Sequence, residues 1–176
     1  MSAAGPILPY EGILPRLHAT AWVAPTALVV GDVELGEESS VWYHCVLRGD
    51  TARITVGARS NIQDGTIVHL NADEPTTIGD DVTIGHACII HACTLRNRAF
   101  VGMGATVLDR AVIEEGGMLG AGGLLPPGKR IGPNELWVGS PARLVRVMSA
   151  EERARFDRTA PHYVQLARRH RASQAG

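Results

Sequence analysis

Residues 95–131 read LRNRAF VGMGAT VLDRAV IEEGGM LGAGGL LPPGKR I, and broken in this way the stretch decides the fold. An aliphatic residue opens every block of six: Leu95, Val101, Val107, Ile113, Leu119, Leu125 and Ile131. Four places further on stands a small one: Ala99, Ala105, Ala111, Gly117 and Gly123. Apolar residues recur near 3.6 in an amphipathic helix and at 2 in a half-buried strand, so a period of six fits neither as a lone element. It fits one flat side of a parallel β-helix, where a short strand sends the aliphatic side chain inward and a small residue turns the corner. Three such sides make a coil of about 18 residues, and coils stack at the strand spacing of about 4.8 Å.

Upstream the register continues. Val23, Val29, Leu35, Val41 and Leu47 form one run, with Ala27, Val33, Ser39, Cys45 and Thr51 at the small position. Val56, Ile62 and Val68 form a second run, and Ile78, Ile84 and Ile90 a third. Where runs join, the spacing is 9 (Leu47 to Val56), 10 (Val68 to Ile78) or 5 (Ile90 to Leu95). The second of these joins holds NADEPTT (71–77), a loop extruded from a corner. The expected fold is all-β, a parallel β-helix over residues 12–147. Past Val147 the composition turns charged and helical. Ser149 with Glu152 makes a capping box that predicts a helix to about Thr159, and Pro161 suits the first turn of a second, from His162 to about Ala172. Residues 148–173 are thus expected to form a helical segment along the outside of the β-helix or of a neighbouring subunit. The basic run RRHR (168–171) reads as its solvated end.

Composition agrees. The chain has 176 residues, 45% hydrophobic but only 5% aromatic, with 20 Gly, as suits one domain whose interior admits aliphatic and small side chains but not rings. A formal net charge of -1 gives no reason to expect nucleic acid or an anionic membrane as partner. No run approaches the roughly 18 apolar residues of a membrane span, and MSAAGPILPYEG lacks the basic and apolar regions of a signal peptide. The three cysteines, odd in number and without CxxC spacing, read as reduced. Cys45 and Cys88 share the inward small position of one side with Thr66 between them, roughly 9 to 10 Å apart and beyond disulfide reach. A cytoplasmic protein is the expectation.

The register also places the histidines. Leu47, Val68 and Ile90 lie on one side of successive coils, so the residues just after them, Arg48, His69 and His91, form a ladder, with Asp50 along its bottom rung. On the preceding side, Asp64 and His86 stand two places after Ile62 and Ile84, with Gln63 beside Asp64. Imidazoles on adjacent rungs can share one metal ion. His86 points from another side and cannot easily close that site within its own chain. In a trimer about an axis parallel to the β-helix, the His69/His91 side of one chain faces the His86 side of the next. Three neutral imidazoles with a fourth position open describe a catalytic metal site, and zinc there lowers the pKa of its water to about 7. His18 and His170 read as solvated, and His44 and His162 carry no assignment.

RGD (48–50), NIQDGTIVH (61–69) and GHACIIH (85–91), set in six-residue repeats, resemble the gamma-class carbonic anhydrases. They are most similar to the bacterial branch that includes proteins encoded with carnitine and phenylacetate catabolism genes. The resemblance runs from Gly12 to about Arg168 and takes in VGMGATVLD and VGSPAR. It implies a left-handed β-helix and a homotrimer with zinc, or alternatively iron or cobalt, on His69 and His91 of one subunit and His86 of its neighbour. It implies that Gln63 orients the attacking hydroxide toward carbon dioxide, giving bicarbonate. Arg48 would pair across the boundary with a carboxylate such as Asp64 or Asp50 and help hold bicarbonate. Tyr163 is similar to a tyrosine that approaches the site in this branch. Two departures stand out: Thr51 replaces a proton-transferring glutamate, and the extruded loop is short, with only Asp73 and Glu74. Hydration is then limited by proton export. The competing readings are a coenzyme A-dependent acyltransferase of the hexapeptide kind, and a metal-binding trimer with little or no anhydrase activity.

Overall fold

The computed structural model describes residues 5–174, and in it the strands from Ile7 to Val147 wind into a parallel β-helix. Each side of the coil is one column of paired residues. The first runs Val23, Val41, Ile62, Ile84, Val101, Leu119 and Trp137. The second runs Val29, Leu47, Val68, Ile90, Val107 and Leu125. The third runs Leu35, Val56, Ile78, Leu95, Ile113 and Ile131. Every aliphatic position of the six-residue register is at most 3% exposed, so the period read in the sequence is the period of the core. The small positions fill the space between: Ala27, Val33, Ser39, Cys45, Ala99, Ala105 and Ala111 are buried.

Corners are cut by one residue in the left-handed backbone region, recurring every six residues from Arg98 through Gly104, Arg110, Gly116, Gly122 and Gly128 to Asn134, with φ between 55° and 68°. That conformation strains a residue bearing a Cβ, and four of these seven corners accordingly carry glycine.

Thr51 departs from the register. It is exposed, because Val46–Val56 runs as one long strand whose extra residues leave the coil. Gly31 pairs with Gly49, the pairing then shifts, and Val33 pairs with Ile54, which takes the inward place expected of Thr51. The bulge depends on glycine: a Cβ on Gly31, at φ +76°, would lie 2.2 Å from the Gly49 carbonyl oxygen. Bulges re-aim side chains, and Asp50 lies within this one, just past the regular pair Val30–Arg48.

Ala142–Val147 returns antiparallel along Glu135–Gly139 and closes the C-terminal end of the coil. Helix α1 (Ala150–Asp157) starts from Ser149 with both bonds of the capping box made, and stops two residues short of the expected Thr159. Helix α2 (Thr159–Ser173) starts three residues before the expected His162, because Arg158 ends one helix and begins the next without a loop. Pro161 still falls in the first turn, where its missing N–H has no intrahelical partner to lose. Helix α2 packs on the strands Trp22–Val23, Ser40–Val41 and Asn61–Ile62, burying Ala160, Val164 and Ala167.

The end of α2 is solvated at Arg168 and Arg169, as expected, but not at His170. The His170 ring meets Trp42 (ring centroids 5.0 Å) and Tyr43 edge-on and Trp22 at a tilt, with its Nδ1 2.8 Å from the Tyr43 hydroxyl. Arg168 pairs with Glu38, and Arg171 donates to the Ala21 carbonyl. Trp22, Trp42, Tyr43 and Tyr163 thus gather with His170 between coil and helix. All three thiols are free and buried, Thr66 bonds between the coils of Cys45 and Cys88, and no helix among the described residues is long and apolar enough to cross a membrane.

Candidate metal centre

His69 closes the strand Ile67–His69 and His91 closes Ile89–His91, and the two residues are direct partners in the ladder. Their rings lie 5.2 Å apart at 53°, with Nδ1 of His69 3.3 Å from Nε2 of His91. Each ring uses its other nitrogen on a carboxylate. His69 Nε2 is 3.0 Å from Asp50 Oδ1, and His91 Nδ1 is 2.5 Å from Asp109 Oδ1. An ionised carboxylate only accepts hydrogen bonds, so those outer nitrogens carry the hydrogens. In the neutral rings, the nitrogens that face each other are then both lone pairs. Such a juxtaposition is unfavourable until a cation or an extra proton sits between them. Ligand nitrogens about 2.0–2.1 Å from a tetrahedral ion lie roughly 3.3 Å apart, and this pair is already at that separation.

The sequence places Arg48 on the rung below, and its guanidinium bonds Asp50 of the same chain. Asp50 in turn holds His69. Burial works to raise the Asp50 carboxyl, but hydrogen bonds from His69 and Arg48, with the Arg48 charge, outweigh it and hold the group below its ordinary value. Asp64 does not meet Arg48 within the chain. It lies 2.9 Å from Nδ1 of His86, at the neighbouring corner. Asp64 thus stands beside the His86 ring at contact distance. His86 makes no hydrogen bond to His69 or His91, and among the described residues no three His, Cys, Asp or Glu side chains of one chain converge as a metal-binding group. Two of the three imidazoles come together; the third faces outward, 44% exposed.

Gln63 is 5% exposed, and its Nε2 donates to Asn61 Oδ1 at 3.0 Å. It lines a largely apolar cleft of about 350 Å³ with Phe100, Met103, Met118, Thr159 and Tyr163, beside Gly85 and hence next to His86. Helix α2 thus brings Tyr163 to the Gln63 side of the molecule. Its ring meets Trp42 edge-on at 5.2 Å. Burial raises the Tyr163 phenol, with the negative Asp64 adding to the effect.

Asp109 and Asn71 belong to this cluster and escaped the sequence reading. Asp109 Oδ2 accepts from Asn71 Nδ2 at 3.0 Å, and Asn71 also donates to Glu74, which pairs with Arg110. The signal was present: continuing the column from Ile90 by one coil reaches Val107, and Asp109 stands two places after it.

A scan against family models finds no match for the chain. It is 43% identical over 168 residues to a carbonic anhydrase of Geobacillus kaustophilus, covering 96% of this chain and 92% of that one. It is 46% identical over 167 residues to the mitochondrial gamma carbonic anhydrase 1 of Arabidopsis thaliana, covering 92% of this chain. The chain spans only 61% of that plant protein's length, and 58% of the length of its gamma carbonic anhydrase 2. The solved structure of a hexapeptide transferase family protein from Anaplasma phagocytophilum superposes with a TM-score of 0.89 at 49% identity, over 96% of this chain and 98% of that one.

Proposed function

The chain belongs to the gamma carbonic anhydrase family, and from that premise we propose that it interconverts carbon dioxide and bicarbonate at metal sites shared between subunits of a homotrimer. The observation that carries the reading is the pair of facing nitrogens on His69 and His91, spaced as two ligands of one tetrahedral ion and lacking a third among the described residues of the chain. His86 of a neighbouring copy would supply it. Imidazole donors suit zinc, with iron and cobalt as the alternatives. When bound, the metal supplies the Lewis acidity that lets water ionise near neutral pH.

The protein's own groups do the rest. Asp50 and Asp109 fix the rings of His69 and His91, and Asp64 lies beside that of His86. Gln63, held by Asn61, offers its amide to orient the attacking oxygen at the edge of an apolar cleft that suits a small uncharged substrate. Arg48 places a positive charge where bicarbonate, an anion, is formed, which favours charge developing toward product. Tyr163 borders the same cleft and limits its volume.

A trimer has support in the outward face beside the histidines. The column Leu28, Val46, Ile67, Ile89, Thr106 and Leu124 presents five apolar side chains and one threonine away from the core, with Ile67 36% and Ile89 41% exposed. A second copy would cover them and deliver His86. Acyl transfer from coenzyme A leaves the His69–His91 pair without a role. The buried free thiols suit the cytoplasm. The test is metal content together with stopped-flow hydration of carbon dioxide, beside H91A. About one metal per chain, with activity lost in H91A, is expected. Metal retained without hydration at any buffer concentration refutes the anhydrase reading.

A further inference from the structure

The histidine pair is braced from one side by a chain of hydrogen bonds that no ligand assignment requires. His91 Nδ1 lies 2.5 Å from Asp109 Oδ1, and the other oxygen of that carboxylate accepts from Asn71 Nδ2 at 3.0 Å. The second Asn71 amide hydrogen reaches Glu74 Oε2 at 3.2 Å, and the far oxygen of Glu74 takes the Arg110 guanidinium. Both acceptors around Asn71 are carboxylates, which fixes the amide with its nitrogen toward them. The path joins the extruded loop 71–77 to the corner Asp109–Arg110, one coil beyond His91.

We infer that Asp109 is a positioning residue for His91, holding its Nδ1–H so that Nε2 points to the metal, and that the loop braces Asp109 through Asn71. The inference rests on the metal reading of the His69–His91 pair. A neutral imidazole has two tautomers and a ring free to turn; a carboxylate on Nδ1 selects one tautomer and one orientation and raises the basicity of the ligating nitrogen. His69 is held the opposite way round, through Nε2, so the two rings present unlike nitrogens to one ion. The loop then has a different task from proton export. Its Glu74 is held by Arg110 first and Asn71 second, which keeps the carboxyl below its ordinary value and occupied.

The test is cobalt(II) binding to the metal-free full-length protein, read by visible absorption and by competition with a chelator, with thermal melting of each apoprotein as the control for folding. D109A is expected to weaken cobalt binding about 10- to 100-fold and to alter the spectrum. D109N, whose amide oxygen still accepts from Nδ1–H but whose NH2 group now faces that of Asn71, should recover part of the loss, and N71A should show a smaller loss than D109A in the same direction. In an H91A background D109A should add nothing. Wild-type affinity and spectrum in D109A, or an equal loss with and without His91, overturns the inference. Unchanged affinity in N71A overturns the bracing by the loop. Should D109A fail to fold, D109N and N71A carry the test. A wild-type protein that takes up neither cobalt nor zinc refutes the metal reading itself, and the positioning role falls with it.

Discussion

His69 and His91 occupy directly paired positions on adjacent coils and turn nitrogens toward each other across 3.3 Å, while His86 stands at a different corner beside Asp64. A site divided in this way has a genetic signature. H91A and H86A should each bind metal far more weakly and lack activity alone. Mixed, unfolded and reassembled together, an H86A chain contributes an intact His69/His91 pair and an H91A chain an intact His86. With random assembly one half times one half, about a quarter, of the sites are complete in a cyclic trimer. Recovery of about a quarter of the activity and metal is expected. No recovery, with trimers of mixed composition present, places all three ligands in one chain.

The second expectation concerns the proton. On the proposed activity each hydration event would release one to solvent, and Glu74, an acidic residue of the extruded loop, is engaged by Arg110 and Asn71. Buffer must therefore collect the proton directly. The maximal rate in stopped flow should rise with imidazole buffer concentration and saturate, while kcat/KM stays flat. A kcat independent of buffer from about 1 to 50 mM would point to an internal relay; proton transfer to an acceptor in solution is a separate step from attack on carbon.

Much of this was legible in the sequence because the β-helix has one repeating environment per position. Leu47, Val68 and Ile90 could be stacked by counting, and once stacked they carried Arg48, His69 and His91 with them. Counting fails where the chain leaves the coil. At Thr51 the bulge between Gly31 and Val33 shifts the pairing, and no count of six shows which residue, Thr51 or Ile54, goes inward. Contacts that cross from tail to coil are invisible to the register too. Nothing local in RRHR shows that His170 will meet Tyr43, 127 residues away in sequence.

That contact gives the third expectation. His170 and Gln174 both reach the Tyr43 hydroxyl, at 2.8 and 3.0 Å, and tie the end of α2 to the coil. Y43F keeps the ring and removes the shared partner, so it should cost about 1 kcal/mol in urea unfolding. Hydrogen exchange of the last turns of α2 should quicken while the coil amides stay protected. A uniform change over the whole chain would show that tail and coil open together.

The thiols supply a pH expectation. Burial raises Cys45 and Cys93 to about 12 and Cys88 to about 11, against an ordinary value of 9.0. Reaction of a thiol needs its thiolate. At pH 8 the folded protein should therefore react slowly with a disulfide reagent, and release three equivalents rapidly in denaturant. The sign for stability follows. The folded pKa values lie above the unfolded one, so ionisation favours the unfolded chain as pH rises from 9.0 through about 12, and stability falls there. Fast labelling of one thiol in the folded state would place that cysteine at an open edge of the coil.

The last expectation tests what the outward column is for. Ile67 and Ile89 flank the histidine pair on the same two strands, each two residues before its His, with their side chains turned out of the core. I89D leaves the interior untouched, since Ile90 and not Ile89 fills the coil. An isolated chain should tolerate the aspartate, whereas an interface must desolvate its charge at a cost of several kcal/mol. Sedimentation velocity should show the wild type as a trimer and I89D shifted to monomer with native circular dichroism. Metal should be lost with assembly, because His69 and His91 remain in place but His86 of a second copy is no longer delivered. If I89D sediments as the wild type and keeps its metal, the column is not the interface and His86 must arrive from another face. If it dissociates yet retains full metal affinity, the two imidazoles of one chain suffice and the shared site is wrong.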